Sequence, residues 1–287
     1  MPPAAAHFRS PGSILEGGAT SAGLGAGVAR SRSGEPGRPV IQLRGVHKSF
    51  GNLHVLAGVD LDIPEGKTTV VLGPSGSGKS VMLKHIVGLL RPDKGEIFFD
   101  GQRIDNLKER DFTDVRLQVG LLFQGGALFD SLTVEENIEF PLREHTKLTR
   151  EERHHRVAKA LEVVDLKGMF KKLPAQLSGG QRKRVALARA IVLQPRVVLY
   201  DEPTTGLDPI RSDGINELII KLSKQMGVTS IVVTHDLVSA RKVADRCVML
   251  LHGKIAADGT YDELAHHENQ QVSHFFMGQY DQEYEKD

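Results

Sequence analysis

The residues Gly73, Pro74, Ser75, Gly76, Ser77, Gly78, Lys79 and Ser80 run in the order G-x-x-x-x-G-K-S. Glycines at this spacing let backbone N–H groups wrap a phosphate with no Cβ in the way. The lysine that follows can reach the β- and γ-phosphates of a nucleotide, and the serine hydroxyl suits Mg²⁺. Val81 completes this candidate nucleotide set. A plain Gly-rich turn before a helix would need none of these side chains in this order.

Three other stretches end in residues that fit the same chemistry. "RVVLY" runs into Asp201 and Glu202. An acid directly after a buried strand suits a Mg²⁺ partner, acting through water, which gives that role to Asp201. Glu202 is then placed to orient or deprotonate an attacking water, a step typically worth about 10²–10⁴-fold. "SIVVT" ends at His235, a candidate for contact with the γ-phosphate. "VGLLF" ends at Gln124, whose amide can ligate Mg²⁺ or position water. Taken singly, each has an ordinary reading as a solvated turn residue or a structural histidine. Together they would make one site if the ends of their runs meet.

A second anion-binding element lies about a hundred residues further on. "LSGGQRKRVALARA", Leu177 to Ala190, reads as a polar turn with two glycines that opens a basic, apolar-periodic helix. Free N–H groups at a helix start attract anions. The basic Arg182–Arg184 belongs either to that anion site or to a solvated helix face.

These residues need a scaffold. The runs "TTVVLG", "VGLLF", "RVVLY" and "SIVVT" are short, rich in β-branched residues and without polar alternation. That pattern suits strands of a parallel sheet buried on both faces. In open α/β sheets, ligands bind beyond the carboxyl ends of the strands. If the four runs are parallel neighbours, their terminal residues converge. "VIQLRGVHKSF" and "LAGVDLDI" instead alternate like half-buried strands around a turn at Gly51-Asn52. "SVMLKHIVGLL" reads as a helix after the phosphate loop. Thr133/Glu136, Thr149/Glu152 and Thr260/Glu263 have the spacing of capping boxes at helix starts. Residues from about 128 to 194 are expected to form a mostly helical subdomain inserted between two strands of the sheet.

Composition sets outer limits. The chain has 287 residues, 40% hydrophobic and 25% charged, with a formal net charge of +1. Nothing in that balance suggests nucleic acid. Cys247 is the only cysteine, so no internal disulfide can form, and its apolar run "CVMLL" marks it as a buried structural thiol. No apolar run reaches the ~18 residues that span a bilayer, so a membrane role requires a partner. Residues 1–39 are rich in Gly, Ala, Ser and Pro and are expected to be disordered. A transit peptide and a misassigned start are the two readings of that extension.

In order and spacing, these motifs resemble the ATP-binding-cassette (ABC) ATPase family over residues 40–265. The match adds the signature Leu177-Ser178-Gly179-Gly180-Gln181 and the loop "GLDP", Gly206 to Pro209. The resemblance implies an α/β P-loop NTPase fold of RecA-like type, with an antiparallel β subdomain and an inserted α-helical subdomain. It implies ATP and Mg²⁺, with Phe50 stacking on adenine; a core phenylalanine is the alternative. It also implies a head-to-tail homodimer in which Ser178, Gly179, Gly180 and Gln181 of one copy close over nucleotide held by the other, with Asp208 at the seam. That arrangement would explain why one chain has two anion-binding helix starts.

Within the family, "LLFQGGALFDSLTVEENIEFPLREH", "GLDPIRSDGINELI", "VTHDLVSARKVADRCVMLLHGKI" and "QQVSHFFMG" are similar to the ATPase subunits of MCE-associated, Mla-type phospholipid transporters. That likeness implies a multi-span permease, an MCE-domain lipid-binding protein and in some systems a small STAS-type subunit. It implies a place at the cytoplasmic face of the cell membrane, reached through the permease. Residues 266–287 form a tail that is short and acidic beyond Gly278, and the N-terminal extension departs from the common pattern. Other ABC importers for amino acids or small solutes remain alternatives, as do non-transport ABC ATPases. Against the latter stand the absence of heptads and of a cysteine zinc cluster.

Overall fold

The structure, a computed structural model, describes residues 38–278. The disorder expected for residues 1–39 therefore lies outside the described residues, except for Arg38 and Pro39, and the acidic tail beyond Gly278 lies outside them altogether. Pro39 is already the first residue of strand β1 (Pro39–Phe50). β1 turns at Gly51-Asn52 into β2 (Leu53–Pro64) and pairs with it antiparallel. β4 (Lys94–Phe99) and the short β5 (Gln102–Arg103) complete a four-stranded sheet in the order β2-β1-β4-β5.

The second sheet has six strands, in the order β10-β9-β3-β8-β7-β6. β3 (Thr68–Leu72), β6 (Val119–Leu122), β7 (Val197–Asp201) and β8 (Thr229–Thr234) are the four expected runs, and they are parallel neighbours. β9 (Arg246–Leu251) also runs parallel, beside β3, and carries the buried Cys247, whose thiol burial pushes up to about 12. β10 (Lys254–Gly259) closes the edge antiparallel to β9.

These central strands lack polar alternation because each face meets a different core. Val71, Leu199, Ile231, Val233, Val248 and Leu250 point toward the antiparallel sheet, where they pack with residues such as Ile41, Ile63, Met82 and Phe99. The alternate residues Val70, Leu72, Val198, Tyr200, Val232 and Met249 pack with helical residues including Ile138, Leu161, Val185 and Leu187. Successive side chains of a strand point to opposite faces, so a strand covered on both sides must be apolar throughout.

The helical core is supplied chiefly by α3 (Val134–His145), α4 (Arg150–Val163) and α5 (Gly179–Ile191). α2 (Glu109–Arg116) precedes β6. α6 (Pro209–Ile220) and α7 (Leu237–Val243) flank β8, and α8 (Tyr261–Ala265) and α9 (Gln270–Met277) follow β10. The three expected capping boxes are all formed, and Ser178/Gln181 makes a fourth at the start of α5. The helix after the phosphate loop, α1 (Lys79–Ile86), is shorter than "SVMLKHIVGLL" suggested. Gly88 adopts a left-handed φ of 66°, and the N–H groups of Leu89 and Leu90 both turn back to the Lys84 carbonyl, which ends the helix.

Candidate nucleotide site at the strand ends

Because β3, β6, β7 and β8 are parallel and adjacent, their carboxyl ends lie along one edge of the sheet. The phosphate loop leaves β3, Gln124 leaves β6, Asp201-Glu202 ends β7 and His235 follows β8.

The loop geometry depends on its glycines. A Cβ on Gly73 would sit 2.5 Å from the Leu250 carbonyl oxygen and 2.6 Å from Ser77 Oγ. Gly78 has φ 99°, and a Cβ there would lie 2.9 Å from the Val55 carbonyl oxygen. Gly78 caps α1 with no side-chain hydrogen bond, so no side chain occupies the helix start. Ser77 Oγ is buried without a hydrogen-bond partner in the protein. Lys79 is 6% exposed, and its Nζ donates to the carbonyls of Gly73 (2.8 Å) and Pro74 (2.7 Å). Burial pushes this ammonium below its ordinary value, and the charges of Glu202 and Asp201 oppose that shift. An uncapped helix start, an orphaned hydroxyl and a buried cation fit an anion of phosphate size.

Ser80 Oγ donates to Asp201 Oδ1 at 2.6 Å, which joins the loop to the end of β7. Among the described residues, no cluster of three or more His, Cys, Asp or Glu is arranged to hold a metal ion. A hydroxyl and a carboxylate fit Mg²⁺, which takes few protein ligands and completes its shell with water and phosphate oxygens.

Glu202 is buried and held on every side. Its Oε1 lies 3.0 Å from His235 Nδ1 and 4.0 Å from Lys79 Nζ. Its Oε2 accepts from Thr205 Oγ1 (3.1 Å) and Thr234 Oγ1 (3.3 Å). An ionised carboxylate only accepts, so His235 Nδ1 carries the hydrogen in this contact and Nε2 is left for another partner. The backbone of Glu202 has φ 48°, a left-handed conformation costly for a residue with a side chain. Asp236, next to His235, was not singled out from sequence. Its carboxylate accepts from Ser239 Oγ (2.6 Å), Thr204 Oγ1 (3.2 Å) and the N–H groups of Val238 and Ser239, which orders the segment carrying His235.

Other candidates lie apart from this cluster. Gln124 is exposed, and among the described residues its amide makes no hydrogen bond; its carbonyl accepts from Lys183 Nζ. Phe50 is 47% exposed at the end of β1, with Lys48 Nζ 5.6 Å from its ring centre, which excludes a core role. Its hairpin reaches the phosphate loop through Val55 and Leu56 of β2, against Gly78. Ser178 Oγ accepts from Gln181 N (3.3 Å), and Gln181 Oε1 accepts from Ser178 N (3.0 Å). Asp208 caps α6 by accepting from Arg211 N at 2.9 Å. Among the described residues, no hydrogen bond or ion pair joins Ser178–Gln181 or Asp208 to Gly73–Ser80. The two helix starts are thus separate within one chain. The Arg182–Arg184 triplet is not uniformly solvated: Arg182 is exposed, Arg184 is half-buried against Val164 and Asp165, and Lys183 is buried.

Comparison with known proteins agrees with this geometry. The model of the family described as "ABC transporter" matches residues 56–205. A Mycobacterium leprae protein, named as a probable ribonucleotide transport ATP-binding protein, mkl, is 43% identical over 83% of this chain and 69% of its own length. The intermembrane phospholipid transport system ATP-binding protein MlaF of Haemophilus influenzae is 40% identical over 84% of this chain and 92% of its own length. A dimeric ATP-binding cassette solved in a post-hydrolysis state with ADP and Pi is 36% identical, covers 77% of this chain and 98% of its own, and superposes with a TM-score of 0.72. The fold, the loop at its strand ends and these relatives agree that the chain belongs to the ABC transporter ATP-binding family of ATPases.

Proposed function

We propose that this chain is the ATP-hydrolysing subunit of a phospholipid transporter of the Mla type. In this reading two copies close head to tail around two MgATP and drive a membrane permease. The observation that carries the hydrolytic part is the meeting of Lys79, Ser80, Asp201, Glu202 and His235 at one sheet edge. Apart from Pro74, which has none, the backbone N–H groups of Gly73–Val81 hold the phosphates, and Lys79 turns from the loop's own carbonyls toward the phosphate oxygens. Phe50 stacks on the base. Ser80 and Asp201, with the Gln124 amide, would hold Mg²⁺, which would supply charge neutralisation on the phosphates. Glu202 receives the proton of the attacking water. His235 keeps Nδ1 on Glu202 and offers Nε2 to the γ-phosphate side, where donation requires a second ring proton. Ser178–Gln181 and Asp208 of the second copy complete each site.

The cargo reading rests on the likeness to MlaF along nearly the whole of that protein. The similar identity to a relative named for ribonucleotide transport supports a second reading, with a nucleotide as cargo. An MCE-domain lipid-binding protein and a STAS-type subunit are the partners that accompany the first. Among the described residues no helix is long and apolar enough to cross a membrane, which agrees with attachment through the permease. For that contact the exposed ring of Phe129 and the half-buried ring of Phe140, 5.1 Å apart and flanked by Arg189 and Arg143, offer an apolar surface; Leu142 is buried in the core. Phe129→Glu should release the permease while the domain still binds MgATP. The complex purified with its permease should carry phospholipid by mass spectrometry. Bound ribonucleotide at the permease, with no lipid, would decide for the second reading.

A further inference from the structure

Of the four basic residues of helix α5, none of which the proposed mechanism uses, Lys183 alone is buried. Lys183 is 7% exposed, and among the described residues it makes no ion pair with a carboxylate. Its ammonium instead donates to two backbone carbonyls, those of Gln124 and of Glu202, the latter at 3.1 Å. Burial pushes this group below its ordinary value, while the nearby charges of Glu202 and Asp201 pull the other way. A buried charge is retained at a cost unless its donors are satisfied, and here the partners are main-chain atoms of two loops that carry chemistry.

What each carbonyl belongs to gives the contact its meaning. Glu202 sits in a left-handed backbone conformation, which persists only where neighbours hold it. Its N–H donates to the Val233 carbonyl at 3.0 Å, and its carbonyl receives Lys183, so the strained residue is held from both sides. The Gln124 loop lies along the same helix. Arg189 donates to the carbonyls of Gly126 (3.0 Å) and Ala127 (2.9 Å), and Gly126 faces Ala186. Lys183, Ala186 and Arg189, three residues apart, form one stripe of α5. Arg189 touches the loop alone. Lys183 touches the loop and the base.

The geometry points to Lys183 as a positioning residue that ties the Gln124 loop and Glu202 together on the signature helix by binding one backbone carbonyl of each. Displacement of α5 or of the loop is thereby felt at the carboxylate that activates water. This role rests on the proposed reading of Glu202 as the base. A lysine that merely fills space would stabilise the fold without acting through Glu202.

The test is single-turnover MgATP hydrolysis by the full-length chain with Lys183→Met in two backgrounds, the natural chain and Glu202→Gln. A misplaced base loses about 10- to 100-fold of its effect, so Lys183→Met should lower the natural rate by about that factor. MgATP affinity should change by less than about threefold, since Lys183 contacts no loop residue between Gly73 and Ser80. In Glu202→Gln, where no base remains to be positioned, the same substitution should change the residual rate by less than about threefold. An equal loss in both backgrounds would overturn the proposal. If Lys183→Met does not fold, Lys183→Gln takes its place, because its amide nitrogen, one bond closer to the backbone than Nζ, cannot reach both carbonyls. Its loss should likewise be confined to the natural background. Natural-rate hydrolysis by Glu202→Gln alone would remove the base itself, and with it both the reading of Glu202 and the role of Lys183.

Discussion

The starts of α1 and α5 are both Gly-rich anion-binding candidates, yet they are built in opposite ways. α1 begins at Gly78 with no side-chain cap, an orphaned Ser77 hydroxyl and a buried Lys79. α5 begins with a closed capping box, in which Ser178 and Gln181 satisfy each other. The first start is incomplete without an anion. The second is complete as a helix end and presents an exposed, already ordered edge. In one chain, therefore, the first start is left open for an anion, and the second fits the proposed role toward a second copy.

Their glycines differ in the same sense. Gly73 and Gly78 cannot accept a Cβ without collision with backbone, whereas a Cβ on Gly179 would meet only side chains at ordinary contact, Leu207 Cδ2 at 3.5 Å and the Arg182 guanidinium at 4.0 Å. The glycines of α1 are required by their own chain. Gly179 is not, which fits the close approach of a second copy in the proposed reading.

The sharpest way to break the account at the α1 side is Glu202→Gln, which keeps shape and removes the base. Steady-state hydrolysis should fall by about 10²–10⁴-fold while MgATP binding persists. Near-natural turnover would remove Glu202 from its role. Next in size is the glycine contrast. Gly73→Ala should destabilise the domain by about 1–3 kcal/mol through overpacking and lose nucleotide. Gly179→Ala should leave the melting temperature of the isolated chain unchanged or slightly raised, yet weaken ATP-dependent dimerisation. Equal effects on the isolated chain would contradict the distinction between the two starts.

The smallest effect concerns Asp236. Burial alone would push its carboxyl up, but hydrogen bonds from Ser239, Thr204 and Val238 outweigh it and hold the group below its ordinary 3.8. The unfolded chain then binds this proton more readily than the folded one. The resulting stability is present above pH 3.8 and is lost as pH falls through the lower folded value. Asp236→Asn should lack that part of the acid limb in thermal melts recorded through this range.

The same contrast explains what could be read in the sequence. The parallel strands and the residues at their ends were legible because local signals carry them: apolar runs without alternation, a complete loop pattern, acids directly after a strand. The capping boxes were legible for the same reason. Lys183 was not, because "RKR" shows three cations, and only the packing of α5 against the Gln124 loop and β7 decides which is buried. The left-handed backbone of Glu202 was equally hidden, since nothing in "DEP" requires it; the contacts of Val233 and Lys183 impose it. β9 was read only as an apolar run holding a thiol, because parallel pairing to β3 is a long-range fact.

The central claim is that each nucleotide is closed by residues of two chains. It is tested most directly by mixing a chain bearing Lys79→Ala with one bearing Ser178→Arg, both in Glu202→Gln to suppress turnover. Arginine is chosen because its bulk blocks the approach of α5 to phosphate; alanine would remove a charge-assisted contact worth only about 1.5–3 kcal/mol, which saturating ATP can mask. Each parent homodimer has two defective sites. In the mixed dimer both defects fall on one site, and the other joins an intact Lys79 to an intact partner Ser178. Retained nucleotide should therefore rise from none in either parent to about one ATP per mixed dimer. If mixing restores no retained ATP, Lys79 and Ser178 serve the same site within one chain, and the two-chain account is wrong.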